Sequence, residues 1–529
     1  MTPKLPTSNS EFLIPSAHEV QFKADVPKRE AVKQAFQHAW SEYETHAFGA
    51  DEYHPISKKG SNMTKAGGIG YTIVDSIDTM MLMGLDEEYA RARSWIENDL
   101  SFNRDGLYNT FEVTIRVLGG LLSAHHLSSA NGVPDSIFLE KAEDLGNRLL
   151  GAFNTPSGLP LSQINLANST GIPSKDNNGM VSTAEVATLQ LELKYLSYLT
   201  DDEVYWRAAE KVMATIKGVM QGGLVTVFME PNSGRFITSD IRLGSRGDSY
   251  YEYLLKQYLQ TDRSEPVYRD MYDTAMSEID KHLIKETPSS QLIYTIEIIP
   301  NMAGEDGRTI QWRLLPKQDH LVCFLGGSLL LGVTEGRGPI PPDPSSFTES
   351  EWRDWKNGIG LIKTCMATHE TLTGLAPEIA HFRTPTDPEW VDEAAPIDWY
   401  IKGMKYSTSA LILRTICRPE TVESLFIAHR LTGHPQYRKW GWQIFQAIEK
   451  HCKLETGGYA TVLNVDWEVI KHDDKMETFF HGEDPFSETL KYLYLLFDDA
   501  SKLSLSDVVF NTEAHIFPVF TPSIKTGFA

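Results

Sequence analysis

Apolar residues recur at helical spacing from the first patterned segment onward. Val32, Phe36, Trp40, Tyr43 and Ala47 follow one another at steps of three or four residues, which places them on one face of a helix. Comparable patterns, separated by short stretches rich in Gly, Pro, Asn and Asp, continue to about residue 500. Strands do not alternate with these helices. The pattern therefore predicts an all-α fold.

Three long aperiodic stretches interrupt the helical pattern, near residues 222–247, 337–344 and 381–397, and we interpret them as loops. Residues 1–27 contain Pro and Ser, show no period and lack an apolar core of roughly 7–15 residues. They predict a loose N-terminal arm rather than a signal peptide or a membrane anchor. Since no change of composition marks a second domain, we expect one domain over residues 28–529.

Strongly apolar helical segments repeatedly begin with an acidic residue. These residues are Glu112, Glu185, Asp248, Glu420 and Glu488. When Asp319 and Glu378 are counted as well, the intervals are 73, 63, 71, 59, 42 and 68 residues. Most of them are near the roughly 60–70 residues that two helices with their loops require. Such a repeat indicates a ring of helical hairpins whose acidic helix starts share one rim. Asp and Glu also favour helix N-termini for capping and dipole reasons, which explains any one of them alone.

The C-terminal stretch from Val508 to Phe520 is an apolar run interrupted by Asn511, Thr512, Glu513 and His515. One interpretation is a closing strand whose polar residues face water. The alternative places the polar side chains inside a cavity. Because burying oxygen ligands without a partner costs a few kcal/mol, burial would imply a hard cation or a sugar as the partner.

Charge and motifs exclude several classes of function. The chain has 49 basic and 71 acidic residues, and its formal charge of −22 would repel phosphate backbones and anionic membranes. The 4 cysteines form no CxxC pair for zinc, and no P-loop, HExxH or GxGxxG context occurs. Nucleic acid and a membrane span are therefore not expected.

The chemistry that converging carboxylates support is glycoside hydrolysis. One carboxylic acid protonates the leaving oxygen, and one carboxylate activates water or attacks the sugar. Glu112 and Arg116 lie at i and i+4 in an apolar helix, so we expect a buried pair rather than a surface pair. The distance between the two working carboxyl groups decides between inversion and retention, and the residues alone leave that choice open.

Long motifs in the same segments resemble glycoside hydrolase family 47, the class I α-1,2-mannosidases that trim asparagine-linked oligomannose glycans. The resemblance covers about residues 31–522 and includes the C-terminal stretch. The motifs are GYTIVDSIDT from Gly70, FEVTIRVLGGLLSAHHL from Phe111, GDSYYEYLLKQ from Gly247, DHLVCFLGG from Asp319, LAPEI from Leu375, RPETVESLF from Arg418, ETLKYLYLLF from Glu488 and FNTEAH from Phe510.

The resemblance implies an (αα)7 barrel plugged from one end by a C-terminal β-hairpin, and calcium-dependent inverting hydrolysis of terminal α-1,2-linked mannose. By the same resemblance Thr512 binds Ca²⁺ through its hydroxyl and carbonyl oxygens, Glu420 is the base, and either Glu112 or Asp248 supplies the proton. The residues implied in sugar binding are Arg116, Glu185, Arg246, Glu378, Arg418, Phe479, Phe480, Glu488 and Glu513. The ETLKYLYLLF motif favours Glu488 over Glu483 as the carboxylate at that helix start.

Arg246, two residues before Asp248, resembles the arginine of the endoplasmic-reticulum subgroup, whereas Golgi-type enzymes with broader trimming have a smaller apolar residue. This implies removal of one particular mannose from the nine-mannose glycan. Cys323 and Cys365 match the structural disulfide of the family, and we interpret Cys417 and Cys452 as buried thiols.

The resemblance also implies N-linked oligomannose glycoproteins as partners, the endoplasmic reticulum or the secretory lumen as the location, and a monomer. The family pattern has an anchor or signal before the catalytic domain, and this sequence starts without either. A competing hypothesis is a mannose-binding quality-control factor on the same barrel with weak hydrolysis. Another is an unrelated helical toroid enzyme, which the FNTEAH motif and the absence of DDxxD-type metal motifs disfavour.

Overall fold

The computed structural model describes residues 15, 19–129, 132, 134–303, 309–338, 343–384, 398–402, 418–473, 485–524 and 528. The predictions for Phe479, Phe480 and Cys417 lie outside the described residues, as does most of the expected arm before residue 19.

The helices of this part are, in chain order, α1 (Val26–His46), α2 (Tyr71–Met83), α3 (Asp86–Asn98), α4 (Thr110–Glu112), α5 (Gly119–Ser129), α6 (Ser136–Leu149), α7 (Thr183–Ala187), α8 (Gln190–Thr200), α9 (Glu203–Val219), α10 (Asp248–Gln260), α11 (Pro266–His282), α12 (Phe324–Thr334), α13 (Glu349–Ala367), α14 (Glu420–Thr432), α15 (Pro435–His451) and α16 (Pro485–Phe497). A π-helical segment, Val113–Leu118, joins α4 to α5.

The strands are short and pair antiparallel. They are β1 (Glu52–His54), β2 (Lys59–Ser61), β3 (Leu107–Asn109), β4 (Gln163–Asn165), β5 (Thr170–Ile172), β6 (Val181–Ser182), β7 (Phe228–Glu230), β8 (Arg235–Ile237), β9 (Ile284–Glu286), β10 (Ile293–Thr295), β11 (Glu297–Ala303), β12 (Thr309–Leu315), β13 (Lys317–Asp319), β14 (Ile379–Phe382), β15 (Trp399–Tyr400), β16 (Val508–Phe510) and β17 (Ile516–Pro518).

The prediction of a mainly helical fold is confirmed, but the interpretation of residues 222–247 as a loop is wrong in part, because β7 and β8 lie within it. The helical pattern also gives no sign of β9–β13. Most of these strands have only three residues, too few for an alternating pattern to stand out. In the longer β12, successive residues are nearly all exposed, so no buried face imposes alternation.

The helices differ in how much of their surface is buried. In α6 the buried residues Phe138, Ala142, Leu145 and Leu149 follow helical spacing, so one face is covered. In α14 every residue from Glu420 to Thr432 is buried. In the part of the chain that the structure describes, no helix combines the length and apolar character that crossing a membrane requires.

The extensively buried helices α2, α5, α8, α10, α12, α14 and α16 contact one another in chain order, and α16 also contacts α2. Each helix with one buried face packs against a helix of this inner set. The pairs are α3 with α2, α6 with α5, α9 with α8, α11 with α10, α13 with α12, α15 with α14, and α1 with α16. The repeating unit is therefore a hairpin of one inner and one outer helix, as the spacing of the acidic residues indicates.

The C-terminal hairpin inserts its apolar side chains among the inner helices. Strand β16 pairs with β17 so that Phe510 lies opposite Ile516. The rings of Phe510 and Phe426 meet edge-on with their centroids 5.4 Å apart, and the ring centroids of Phe517 and Tyr195 are 5.6 Å apart. Three of the four polar residues between the strands, Asn511, Glu513 and His515, are buried, and Thr512 is half-buried. The interpretation of this stretch as an edge strand with polar residues in water is therefore wrong.

A buried cluster of charges anchors the hairpin. His515 Nδ1 lies 2.9 Å from Asp78 Oδ2, and Lys491 Nζ lies 2.8 Å from Asp78 Oδ1. Lys491 also donates to the carbonyl of Ala514, at 3.1 Å. Burial alone would raise the pKa of Asp78, but the charges of Lys491 and His515 hold the pKa of this carboxyl well below its usual range. The cluster therefore links α2, α16 and the hairpin through a carboxylate that stays ionised.

A disulfide joins Cys323, just before α12, to Cys365 near the end of α13. The bond confirms the pairing that the family resemblance implies. Cys452 is buried at the end of α15, as expected. Inner helix α12 and its outer partner α13 are thus linked covalently as well as by packing.

Replacing Lys491 with Met should destabilise the fold by roughly 3–5 kcal/mol, because Asp78 would keep a buried charge without its main counter-charge. The matched control is Lys502→Met, which removes a 60%-exposed lysine from its ion pair with Asp498 and should cost less than about 1 kcal/mol. Chemical denaturation of both variants at pH 7 measures the difference. Equal stability of the two variants would contradict the role assigned to the cluster.

Candidate active site

Asp319 ends β13 and Glu378 directly precedes β14, so neither of these two lies within a helix. The other five acidic residues predicted at helix starts lie in the first turn of a helix, which is an inner helix for three of them and a short helix before α5 or α8 for two. These are Glu112 in α4, Glu185 in α7, Asp248 in α10, Glu420 in α14 and Glu488 in α16. Several are close enough to interact through their charges. Asp248 is repelled by Glu420, and Glu488 by both Glu420 and Glu513. The structure therefore brings these helix starts together at one site.

Arg116 is the cation at one side of this site. Its side chain is 0% exposed, its Nε donates to Glu112 Oε2 at 3.1 Å, and its Nη1 lies 2.8 Å from Glu513 Oε2. In the described residues, Nη2 of Arg116 has no hydrogen-bond partner. A buried guanidinium N–H without an acceptor is costly, so this atom is suited to bind a polar ligand group such as a hydroxyl.

Two carboxyl groups at this site have raised pKa values. Burial is the main cause that raises the pKa of Glu112 to about 7, although Arg116 opposes it. Burial also raises the pKa of Asp248 to about 7, and the charges of Glu252 and Glu420 add to this effect. Each group can therefore carry a proton near neutral pH, as a general acid must.

Glu420 has the opposite environment, although it is buried as well. His320 Nδ1 lies 2.9 Å from Glu420 Oε2, and Arg418 Nη1 lies 3.6 Å from Oε1. Burial would raise the pKa of Glu420, but the hydrogen bond from His320 and the charge of Arg418 lower it overall. The Thr421 hydroxyl faces the other ring nitrogen of His320 at 2.9 Å, which fixes the orientation of the imidazole.

Arg418 is itself oriented by Glu378. Its Nε lies 2.8 Å from each carboxylate oxygen of Glu378, and its Nη2 lies 2.7 Å from Oε1. The backbone N–H of His320 donates to the backbone carbonyl of Glu378 at 2.9 Å. The predicted residues Glu378 and Arg418 therefore orient the groups around Glu420, and His320 does so as well. Sequence reasoning did not include His320 among the site residues.

Sequence reasoning also missed a buried cluster next to these carboxylates, formed by Glu252, Lys256 and Glu423. Lys256 forms an ion pair with Glu252 four residues before it, and its Nζ lies 3.3 Å from Glu423 Oε1. Burial raises the pKa of Glu423 to about 7, and Glu252 and Glu420 add to this effect while Lys256 opposes it. A signal was present, because a lysine and a glutamate at i and i+4 inside the apolar run of α10 indicate a buried pair.

Arg246 lies at the edge of the site with its backbone in the left-handed region, at φ 74°. Its guanidinium lies over the ring of Phe228 at 5.0 Å, and its Nη1 donates to Asn177 Oδ1 at 2.8 Å. Burial raises the pKa of Glu185, and the charge of Arg246 opposes this rise. The predicted residues Arg246 and Glu185 are therefore neighbours.

The surroundings of Thr512 suit a cation. Thr512 is half-buried, and its one hydrogen bond among the described residues runs from its N–H to the Tyr253 hydroxyl at 3.4 Å. Burial and mutual repulsion raise the pKa of Glu488 and of Glu513 well above the usual range. No group of three or more His, Cys, Asp or Glu side chains forms a metal cluster in the described ranges. The fit therefore depends on the oxygens of Thr512 and on nearby carboxyl groups whose ionisation a bound cation would favour.

The arrangement can perform acid–base chemistry on a neutral polar substrate. Within one buried site, the pKa of Glu420 is lowered while those of Asp248 and Glu112 are raised to about 7. Titratable pairs whose environments push their pKa values apart are typical of an acid and a base that act together. A pair of carboxyl groups in these two states is what glycoside hydrolysis requires.

Comparison with known proteins agrees with this chemistry. The chain matches the family Glycosyl hydrolase family 47 over residues 35–519. It is 43% identical over 510 residues to a mannosyl-oligosaccharide 1,2-alpha-mannosidase of Candida albicans, covering 94% of this chain and 84% of that protein. It is 40% identical to the human endoplasmic reticulum mannosyl-oligosaccharide 1,2-alpha-mannosidase, covering 94% of this chain and 64% of that protein. A solved alpha-1,2-mannosidase from Trichoderma reesei superposes with a TM-score of 0.78 at 26% identity, covering 94% of this chain and 100% of that chain.

Replacing Asp248 with Asn should stabilise the protein at pH 8 by roughly 1–3 kcal/mol. A carboxyl whose pKa is about 7 in the folded state and near 4 when unfolded contributes its full stability below pH ~4 and loses it as the pH rises to ~7. Asparagine does not ionise, so the gain should be large at pH 8 and small at pH 4. Denaturation at both pH values, with the exposed Asp270→Asn on α11 as the control, measures it. A gain that does not depend on pH would contradict this origin.

Proposed function

Because the chain belongs to glycosyl hydrolase family 47 and is a glycoside hydrolase, we propose that it removes terminal α-1,2-linked mannose from N-linked oligomannose glycans with inversion. Its relatives from Candida albicans and human support this substrate class through their names. The observation that carries the proposal is that Glu420, held by His320 and Arg418, shares one site with Asp248 and Glu112, whose pKa values are raised to about 7 while that of Glu420 is lowered.

In the proposed reaction Glu420 is the base. Its carboxylate takes a proton from a water molecule while the oxygen of that water attacks the anomeric carbon of the mannose. His320 and Arg418 keep Glu420 ionised before the reaction, which is the state that a base requires. The bond from the anomeric carbon to the glycosidic oxygen breaks, and its electron pair stays on that oxygen.

The proton for the leaving oxygen comes from Asp248 or Glu112, and both remain candidates. Burial is the largest cause that raises the pKa of both groups to about 7, so each is partly protonated near neutral pH. The charge of Glu420 adds to the raised pKa of Asp248, so ionisation of Glu420 helps Asp248 to keep its proton. This coupling to the base favours Asp248 over Glu112 as the acid.

We also propose that the site holds Ca²⁺ at Thr512. The hydroxyl and carbonyl oxygens of Thr512 would bind it, and Glu488 and Glu513 would balance its charge through water. A bound hard cation supplies a positive charge that orients sugar hydroxyls. Arg116, whose Nη2 has no partner in the described residues, would bind a hydroxyl of the same sugar. Phe479 and Phe480 are proposed to shape this site through the family resemblance alone.

For the architecture we propose an (αα)7 barrel that the β16–β17 hairpin plugs at one end. The contacts from α2 through α16 and back to α2 support a closed ring, and the burial of Phe510 and Phe517 supports the plug. We further propose one catalytic domain over residues 28–529, acting as a monomer. The backbone N–H groups of Gln21 and Asp25, within the expected arm, donate to the Gly433 and Phe497 carbonyls, which supports extending the proposed domain N-terminally beyond residue 28.

The proposed location is the lumen of the endoplasmic reticulum. The disulfide Cys323–Cys365 supports an oxidising compartment, and the human relative is named for that organelle. We propose that one particular mannose of the nine-mannose glycan is removed. The position of Arg246 beside Glu185 supports this selectivity, because a guanidinium with five donors can hold a glycan branch in one orientation.

The purified protein, incubated with the nine-mannose glycan, should release one mannose, and a calcium chelator should abolish the release. Glu420→Gln lacks the base and should lower kcat by a factor of about 10³ or more while glycan binding is kept. Product analysis by mass spectrometry, with binding measured by calorimetry, tests both expectations. Glycan binding without release in the wild type would instead support a quality-control binding factor. Normal turnover by the Glu420→Gln variant would refute the assigned base.

Replacing Arg246 with Leu should broaden trimming to further α-1,2-linked mannoses, because the donors that select one branch are lost. The matched control is Arg235→Leu, the same change at an exposed position on β8, which should leave the products unaltered. The time course of the products of the nine-mannose glycan measures the effect. An unchanged product profile of Arg246→Leu would refute the assignment.

A further inference from the structure

A buried amide makes four of the hydrogen bonds that hold the turn carrying Thr512, residues 511–515. Asn511 Oδ1 accepts the N–H groups of Glu513 at 2.9 Å and His515 at 2.8 Å. Asn511 Nδ2 donates to the Ile115 carbonyl and to Glu192 Oε1, each at 2.8 Å. Both donors and both acceptor positions of the amide are therefore used, and the residue is 0% exposed. In the Thr512 turn (residues 511–515), one side chain thus both braces the backbone and joins the turn to neighbouring helices, in addition to the contacts of His515 and Ala514.

The Ile115 carbonyl is available to this amide because of the π-helical segment Val113–Leu118. The N–H of Gly119 donates to the carbonyls of Thr114 and Arg116, so the Ile115 carbonyl accepts from Asn511 instead. π-Helical insertions occur frequently at functional sites, where they change which backbone groups are free. Here the inserted residue frees an acceptor that faces the Thr512 turn.

Gly119 allows this close approach. A Cβ atom at Gly119 would lie 2.8 Å from Asn511 Nδ2 and 2.9 Å from His515 Cδ2, which is shorter than real Cβ contacts. The backbone of Gly119 is helical, at φ −58°, so the requirement for glycine comes from the neighbouring turn and not from its own conformation. A side chain here would push the Thr512 turn away from the π-helical segment.

The same segment carries the cation of the site. Arg116 follows Ile115 directly, and its Nη1 lies 2.8 Å from Glu513 Oε2 in the Thr512 turn. The turn and the segment are therefore joined twice, once through the Asn511 amide and once through this ion pair. A shift of either partner would change the position of Thr512 relative to Arg116 and Glu112.

We propose that Asn511 and Gly119 are positioning residues that lock the Thr512 turn to the π-helical segment, and so set the metal-binding oxygens relative to the Arg116–Glu112 pair. The inference rests on the proposed function, because Thr512 as the calcium ligand belongs to that proposal. Residues behind a metal site that orient its ligands commonly affect affinity by 10- to 100-fold.

Gly119→Ala tests the coupling without changing any residue in contact with the proposed substrate or metal. We expect its dissociation constant for Ca²⁺, measured by calorimetry on the full chain, to rise by about 10-fold or more. In the calcium-free protein, hydrogen exchange of the Glu513 and His515 amides should also become faster, since Asn511 Oδ1 no longer holds them. The control is Gly218→Ala in α9, where an added Cβ meets nothing within 4 Å.

A second pair of variants covers the case in which Gly119→Ala does not fold. Asn511→Asp keeps both acceptors but loses the donor to Ile115 and Glu192, so calcium binding should weaken. Adding Glu192→Gln supplies an amide donor toward the new carboxylate and should restore part of the affinity. If folded Gly119→Ala or Asn511→Asp matched the wild type in both calcium affinity and amide exchange, the coupling would be refuted. If the wild type bound no Ca²⁺, the proposed function would fail, while the amide exchange would still decide the coupling.

Discussion

The excess of buried carboxyl groups over buried cations at one rim is the constraint on which the rest of the structure depends. Arg116 lies between Glu112 and Glu513, and Arg418 lies between Glu378 and Glu420, so each cation serves two acids. Ionising every carboxyl group at once would be costly in a buried site, and raised pKa values are the consequence. The same excess of carboxyl groups over cations favours the protonated form of some carboxyl groups and would favour binding of a cation.

The scaffold holds this unfavourable charge with contacts that lie away from it. The Asp78–Lys491–His515 cluster has matched charges and fixes the hairpin from below. The disulfide Cys323–Cys365 and the packing of inner against outer helices add contacts away from the rim. Burial of the carboxyl groups, together with their mutual repulsion, raises the pKa values of Glu112, Asp248 and Glu488.

The sequence predicted much of the site because its acids lie at the starts of apolar helices, where period and position are both visible. Glu112, Glu420 and Glu488 follow from that pattern. Burial of the FNTEAH stretch required the family resemblance, since its own pattern suits an edge strand equally well. The contact of His320 with Glu420 depends on which elements become neighbours in space, and no local periodicity contains that information. The spacing of Glu252 and Lys256 did contain a local signal, but not their contact with Glu423. Strands β9, β10 and β13 were missed because three residues do not establish a period, and β12 because its residues are nearly all exposed.

The contrast between Asp248 and Glu420 shows why helix position alone does not assign the acid and the base. Each is the first residue of its inner helix, α10 or α14, so the helix dipole favours the ionised form of both. Their pKa values nevertheless shift in opposite directions. Glu420 faces His320 and Arg418, whereas Asp248 faces the carboxylates of Glu252 and Glu420. The difference therefore comes from side chains that neighbouring elements bring to the rim, and Glu420 itself contributes to the protonation of Asp248. In the proposed roles, the ionised base raises the pKa of the acid, so loss of the charge at Glu420 would weaken the hold of Asp248 on its proton.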